Sequence, residues 1–291
     1  MSADTFAFLR RLRRPARIDF TDSAYLPSTL AEPSPMPVFD RLADWLPYSG
    51  WLPEERLFLL ERPLGARRNG QDPVEAVGFV LALNPQTGAD ARMASVLKSI
   101  FNGLPTGASL QFHLLGTPDI HDFLERYRGL RSVGGIHGYG VHTEAARRRA
   151  EHLARAALHP PFPGLPWMPR HFLAALSVTL PAEGMSDREA LESALTLREA
   201  LATVLKGAYL FAGEWGPDDL IAWCAQVLNA NRLLKGEAQR LTYEDGRLIR
   251  DQILALDTLT RVTRDGLVVG SPADSAEAVV RCLSVRNYPK A

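Results

Sequence analysis

A chain of 291 residues, 46% hydrophobic and 23% charged, suits a globular protein of one large or two moderate domains and excludes disordered and fibrous classes. Its 33 Lys and Arg balance 33 Asp and Glu, so no global field recruits nucleic acid or anionic membrane, and any such contact must be local. Two cysteines, Cys224 and Cys282, support neither a disulfide framework nor a zinc site, and a reducing cytoplasm is the expected home. No stretch reaches the roughly eighteen consecutive apolar residues that span a bilayer, and the start MSADTFAFLRRLRRPAR lacks the form of a signal peptide.

Residues 1–37 are rich in Arg, Pro and Ser, and Pro27, Pro33, Pro35 and Pro37 prevent continuous helix, so this stretch reads as a disordered or loosely docked arm. Val38, Phe39, Leu42, Trp45 and Leu46 stand at helical spacing until Pro47. RLFLLE (56–61) and VEAVGFVLAL (74–83) flank a polar turn and predict a hairpin. Within the second strand, Gly78 suits the close approach of another backbone. Met93, Val96, Leu97 and Ile100 share one face and predict a helix over 89–103, with Thr87 or Gly88 as its cap and Gly103 as its stop.

ASLQFHLLG (108–116) predicts a half-buried strand, and a helix follows Pro118. SVGGIHGYG then leads to an Arg- and Ala-rich helix over 143–158, which ends at the breaker run HPPFPGLPWMPR. Beyond it, 171–180 reads as strand, 187–206 as helix, 207–214 as strand and 217–229 as helix after a proline start. Asp265-Gly266 between alternating residues marks a hairpin, and AEAVVRCLSVRNYP is a further strand. The expected class is α+β: two successive β-α-β-α modules resembling ferredoxin-like halves, with mixed sheets packed by helices. The expected division is an arm at 1–37, a first module at 38–158, a proline-rich connection at 159–169 and a second module at 170–291.

A nucleotide-hydrolysing loop requires G-x-x-x-x-G-K-[ST], because backbone N–H groups cradle phosphate while the lysine and hydroxyl meet γ-phosphate and magnesium. None of the four lysines, Lys98, Lys206, Lys235 and Lys290, follows a glycine, and Lys98-Ser99 falls inside a predicted helix. Gly138, Gly140, His142 and Arg148 form a candidate anion site at a helix start, within a segment running from Gly134 to Arg149. That segment follows a helix rather than a strand, and its arginine run equally reads as a solvated face. His137, His142, His152 and His159 have no carboxylate or cysteine at metal-ligand spacing, and His113, His121 and His171 stand singly as structural residues. No G-x-S-x-G, H-E-x-x-H or paired-carboxylate motif is present, so no catalytic residue and no cofactor or metal ligand is assigned. Arg10, Arg11, Arg13 and Arg14, interleaved with Phe6, Phe8, Leu9 and Leu12, are candidates for contact with an anionic membrane surface. Trp45, Tyr48 and Trp51 cluster around an expected turn as candidate partner anchors, with core burial the competing reading.

From Trp45 onward a series of words carries a family likeness: LPYSGW, LFLLE, VGFVLAL, NPQTGADARM and GLPTGASLQFHLLGTPD, then PRHFLAALSVTLP, VLNANR and LSVRNYPKA. In this order they resemble the N-terminal region of TraC-type conjugative transfer ATPases, the pilus-assembly motors of type IV secretion systems. The resemblance implies a docking and assembly domain that sits in the cytoplasm, peripherally on the bacterial inner membrane. Its implied partners are inner-membrane secretion subunits and sister copies, with no nucleic acid. It also implies that ATP and magnesium belong to a motor domain outside this chain. The alternative reading is a stand-alone enzyme, or an anion- or nucleotide-binding protein, built on the Gly134 to Arg149 segment.

Overall fold

The computed structural model describes residues 42–61, 76–88, 90–132, 139–165, 167–182, 184–234, 241–255, 258–263, 266–270 and 277–281. The expected arm lies outside them. A short 3-10 turn, Leu42–Trp45, stands where the sequence predicts a helix. Three strands follow: β1 (Tyr48–Leu52), β2 (Leu57–Leu60) and β3 (Ala76–Leu83). Then come helix α1 (Ala91–Asn102), strand β4 (Ser109–Thr117), helices α2 (His121–Ser132) and α3 (Tyr139–Leu158), and strand β5 (His171–Pro181). Helix α4 (Asp187–Gly207), strand β6 (Phe211–Glu214) and helices α5 (Pro217–Leu228) and α6 (Ala230–Leu234) complete the main body. A second sheet contains β7 (Leu259–Thr263), β8 (Gly266–Gly270) and β9 (Ala278–Val280).

The class is α+β, as expected. The main sheet has the order β1-β2-β3-β5-β4, with β6 also pairing β3. All described pairings are antiparallel, so the sheets are not mixed. β5 runs between β3 and β4, pairing Ala76 to Leu83 on one side and Ser109 to Thr117 on the other. β6 takes the free edge of β3 at Leu81 to Leu83, beside the stretch Ala76 to Gly78 that β2 occupies. Along β6-β3-β5-β4, β3-α1-β4 skips over β5 and β5-α4-β6 skips over β3. Two split βαβ units therefore interlock, which is the ferredoxin-like arrangement. The proline-rich connection joins segments that contribute strands to one sheet. α2 and α3 pack against each other as a helical hairpin inserted between β4 and β5.

Strand alternation separates two cores. Val77, Phe79, Leu81 and Leu83 of β3 join Leu176, Val178 and Leu180 of β5 on one face. α4 covers them with Ala190, Leu191, Ala194, Leu197, Leu201 and Leu205, a stripe at helical spacing. α1 adds Ile100, with Met93 and Val96 packed beside it. α4 starts with a capping box in which Ser186 and Glu189 bond reciprocally. α1 is capped by Asp90, whose carboxylate accepts from the Met93 N–H at 2.8 Å; the sequence reading had placed this cap at Thr87 or Gly88. Gly103 ends the helix as expected, its N–H reaching the Ser99 and Ile100 carbonyls. Lys98-Ser99 lies inside α1.

On the opposite face, Val80 and Ala175 meet Leu220 and Ile221 of α5, with Ile249 and Ile253 from the 3-10 turn Ile249–Gln252 and its end. Arg250 of that turn pairs with Glu61 after β2 at 3.2 Å, with both side chains largely buried. Asn229, in the VLNANR word, ends α5 with its backbone N–H on the Ala225 carbonyl and ties that end to residues 253–258 through its side chain: Nδ2 donates to the Ile253 carbonyl, and Oδ1 accepts from Ala255 N and Thr258 Oγ1.

Candidate functional site

The aromatic cluster expected at a turn is built instead on a strand with a bulge. β1 pairs Tyr48 with Leu60 and Gly50 with Leu59, so Ser49 is the extra residue, and its hydroxyl donates to the Leu59 carbonyl at 3.0 Å. Tyr48 and Trp51 are three residues apart, a spacing that puts side chains on opposite faces of a regular strand. The bulge brings them to one face, where both pack on Phe58, Trp51 at 4.6 Å between centroids and Tyr48 edge-on at 6.3 Å. Trp45 ends the preceding 3-10 turn. Burial, with the Cys224 thiol close by, pushes the Tyr48 phenol up to about 12, and burial does the same to Cys224. Both are neutral near pH 7, so Cys224 is held as a thiol rather than as the thiolate.

Beside Tyr48 the sheet is incompletely covered. A groove of about 130 Å³ opens there, floored by Gly78 and lined by Ser109, Gln111, Ser177 and Thr179. A Cβ on Gly78 would come 2.7 Å from the Val178 carbonyl oxygen and 2.9 Å from Leu60 Cδ1, the close approach expected from the sequence. Among the described residues no charged side chain lines the groove, so the chemistry they offer is that of neutral donors and acceptors, suited to uncharged polar groups. Next to it His113 Nε2 and Ser177 Oγ lie 2.8 Å apart, and the imidazole meets Trp223 edge-on at 6.3 Å. His113 thus has the structural setting expected for it. His171 stacks edge-on with Phe123 at 4.7 Å.

The glycine-histidine segment presents itself differently from the sequence expectation. α3 begins at Tyr139, so Gly140 and His142 are inside its first turn rather than in a loop before it. Gly138 and His137 lie outside the described residues. Arg148 Nε donates to Glu144 at 2.7 Å, and Arg147 bonds both Glu144 and Glu151. Hydrogen bonds from Arg147 and Arg148 hold the Glu144 carboxyl down at about 2. These exposed pairs are the solvated helix face that the sequence also allowed. Arg10, Arg11, Arg13 and Arg14 lie outside the described residues. Among the described residues no three His, Cys, Asp or Glu side chains gather as a metal site, and no helix is long and apolar enough to cross a membrane.

An apolar surface missed in the sequence lies at the far edge of the sheet. Phe101 of α1, Phe112 and Leu114 of β4, and Phe172 of β5 are all exposed, and Phe101 meets Phe112 edge-on at 6.5 Å. The alternation of SLQFHLLGT reads as a half-buried strand, but α1 and α4 leave this end of the face uncovered.

With this geometry in place, comparison with known families assigns residues 42–291 to the family described as TraC protein. The chain belongs to that family. It is therefore a TraC-type protein of F-type conjugative transfer, related to type IV secretion. The matched stretch begins within the 3-10 turn that precedes β1 and takes in every word from LPYSGW onward. Neither a curated protein nor a solved structure shows a match.

Proposed function

We propose that this chain is a noncatalytic docking and assembly part of a type IV secretion ATPase, working on the cytoplasmic face of the bacterial inner membrane. The observation that carries the reading is family membership across residues 42–291 in a sequence without G-x-x-x-x-G-K-[ST]. Its lysines follow Leu97, Leu205, Leu234 and Pro289, so none completes a phosphate-binding loop. ATP and magnesium would be held by motor residues that this sequence does not contain. The partners are inner-membrane subunits of the transfer apparatus and sister copies, and the neutral charge balance gives nucleic acid no general hold. The arginine-rich arm, with Arg10, Arg11, Arg13 and Arg14, would rest against anionic lipid as an auxiliary contact.

The test combines turnover with defined partners. Highly purified protein should hydrolyse no ATP, and it should bind purified inner-membrane subunits of its own transfer system. Removing residues 1–37 should weaken flotation with anionic vesicles while leaving subunit binding in place. ATP hydrolysis that persists through purification, or failure to bind any of those subunits, would overturn the reading.

A further inference from the structure

We propose that β4 is a self-association edge, where a second copy of this chain pairs antiparallel with it and joins two main sheets into one. This deepens the self-assembly part of the proposed function and names its surface.

Among the described residues β4 is the terminal strand of the main sheet, and β5 is the only element that packs extensively on it. An open edge presents unpaired N–H and C=O groups, which proteins normally protect with charge, proline, a bulge or a short strand. SLQFHLLGT has none of these: it is nine residues long, without Asp, Glu, Lys, Arg or Pro, and its register against β5 is unbroken. Exposed side chains stand along this edge, with Leu114 at 68%, Phe101 at 54%, Phe172 at 53% and Phe112 at 43%.

Several observations select a second copy as the occupant. The strand is uncharged and the whole chain balances 33 basic against 33 acidic residues, so two copies meet without net repulsion. A two-fold axis at His113, the middle of Ser109–Thr117, allows all nine residues to pair. In that register Phe112 stands opposite Leu114 of the second copy, and Leu114 opposite its Phe112. Leu110 stands opposite Gly116, the glycine over which the Phe172 ring lies; a Cβ there would meet the ring at 3.2 Å. Large side chains thus oppose an already filled small position, and the two exposed patches merge into one apolar strip on the face that carries α1 and α4. The antiparallel sense continues that of every described pairing, and the two-fold closes the assembly at two copies rather than a fibre.

Light scattering and sedimentation of the whole chain at tens of micromolar should give twice the chain mass, and amide exchange in β4 should slow as concentration rises. Leu114→Lys places charge at an already exposed position and should yield a folded monomer by circular dichroism. Val262→Lys, on the exposed edge strand of the small sheet, should remain dimeric. In a Cys282→Ser background, His113→Cys should cross-link to itself under mild oxidation, whereas Leu115→Cys should not. A wild-type monomer overturns the proposal, as does a dimer that survives Leu114→Lys or dissolves with Val262→Lys. β4 amides already protected in a monomer also overturn it, because another segment of the chain would then hold the edge. Cross-linking through Leu115→Cys alone refutes the register. None of these outcomes touches binding to the inner-membrane subunits, so the pairing and the docking reading fail separately.

Discussion

His113 shows how one side chain links the sheet surface to solution conditions. Burial on the sheet, beside Ser177 and Trp223, lowers its pKa from the ordinary 6.5. The unfolded chain then takes up the proton more readily than the folded one, so the contribution of this residue to stability is complete above the unfolded value and is lost as pH falls below about 6.5. Urea denaturation should therefore show wild-type stability declining from about pH 7 to about pH 5 more than that of His113→Gln, which keeps a polar group toward Ser177 and does not titrate. Equal declines would show that the imidazole is not the responsible group. Single residues were legible where chemistry alone decides them. A glycine inside an apolar strand announced close contact, and Gly78 has the Val178 carbonyl there. Gly266, in the expected Asp-Gly hairpin, likewise has no room for a Cβ against the Val280 carbonyl. Asn229 gave no such signal, because its partners Ile253, Ala255 and Thr258 are distant in sequence.

Elements whose apolar spacing is long and regular were read almost to their ends. α4 over Asp187–Gly207 and β5 over His171–Pro181 differ from expectation by a residue at one end. β1 was missed because its alternation is broken by Ser49, and a period-2 search cannot see a strand in which Tyr48 and Trp51 share a face. The N-terminus of α1 was misplaced for a related reason: Thr87, Gly88 and Asp90 are all acceptable caps, and only the Met93 N–H selects among them. That choice has a measurable consequence. Asp90→Ala should cost about 1 kcal/mol in urea denaturation, the usual effect of removing a helix cap, while Thr87→Ala should be close to neutral. A reversed order would place the cap where the sequence first suggested it. The candidate anion site was legible only as composition, since salt bridges at helical spacing to Glu144 and Glu151 depend on where α3 begins.

At the scale of the molecule, the pattern of strands and helices revealed the α+β class, but strand order is a non-local fact that periodicity does not contain. The insertion of β5 between β3 and β4 makes the two sequence modules interdependent. Expressed separately, residues 38–158 would leave β3 and β4 with a missing strand between them, and residues 170–291 would leave β5 bare on both edges. Neither piece should show a cooperative thermal transition, whereas mixing them should restore one. A sharp transition in either piece alone would mean that the halves fold independently. The same interlocking carries a timetable. A growing chain delivers β3 and β4 first, and they cannot be joined in the final order until residue 181 has left the ribosome. For all that interval the β3 and β4 edges that β5 will cover stand unpaired, so misassociation through those inner edges is a risk during synthesis and ends when β5 enters, whereas the outer edge of β4 stays available afterwards.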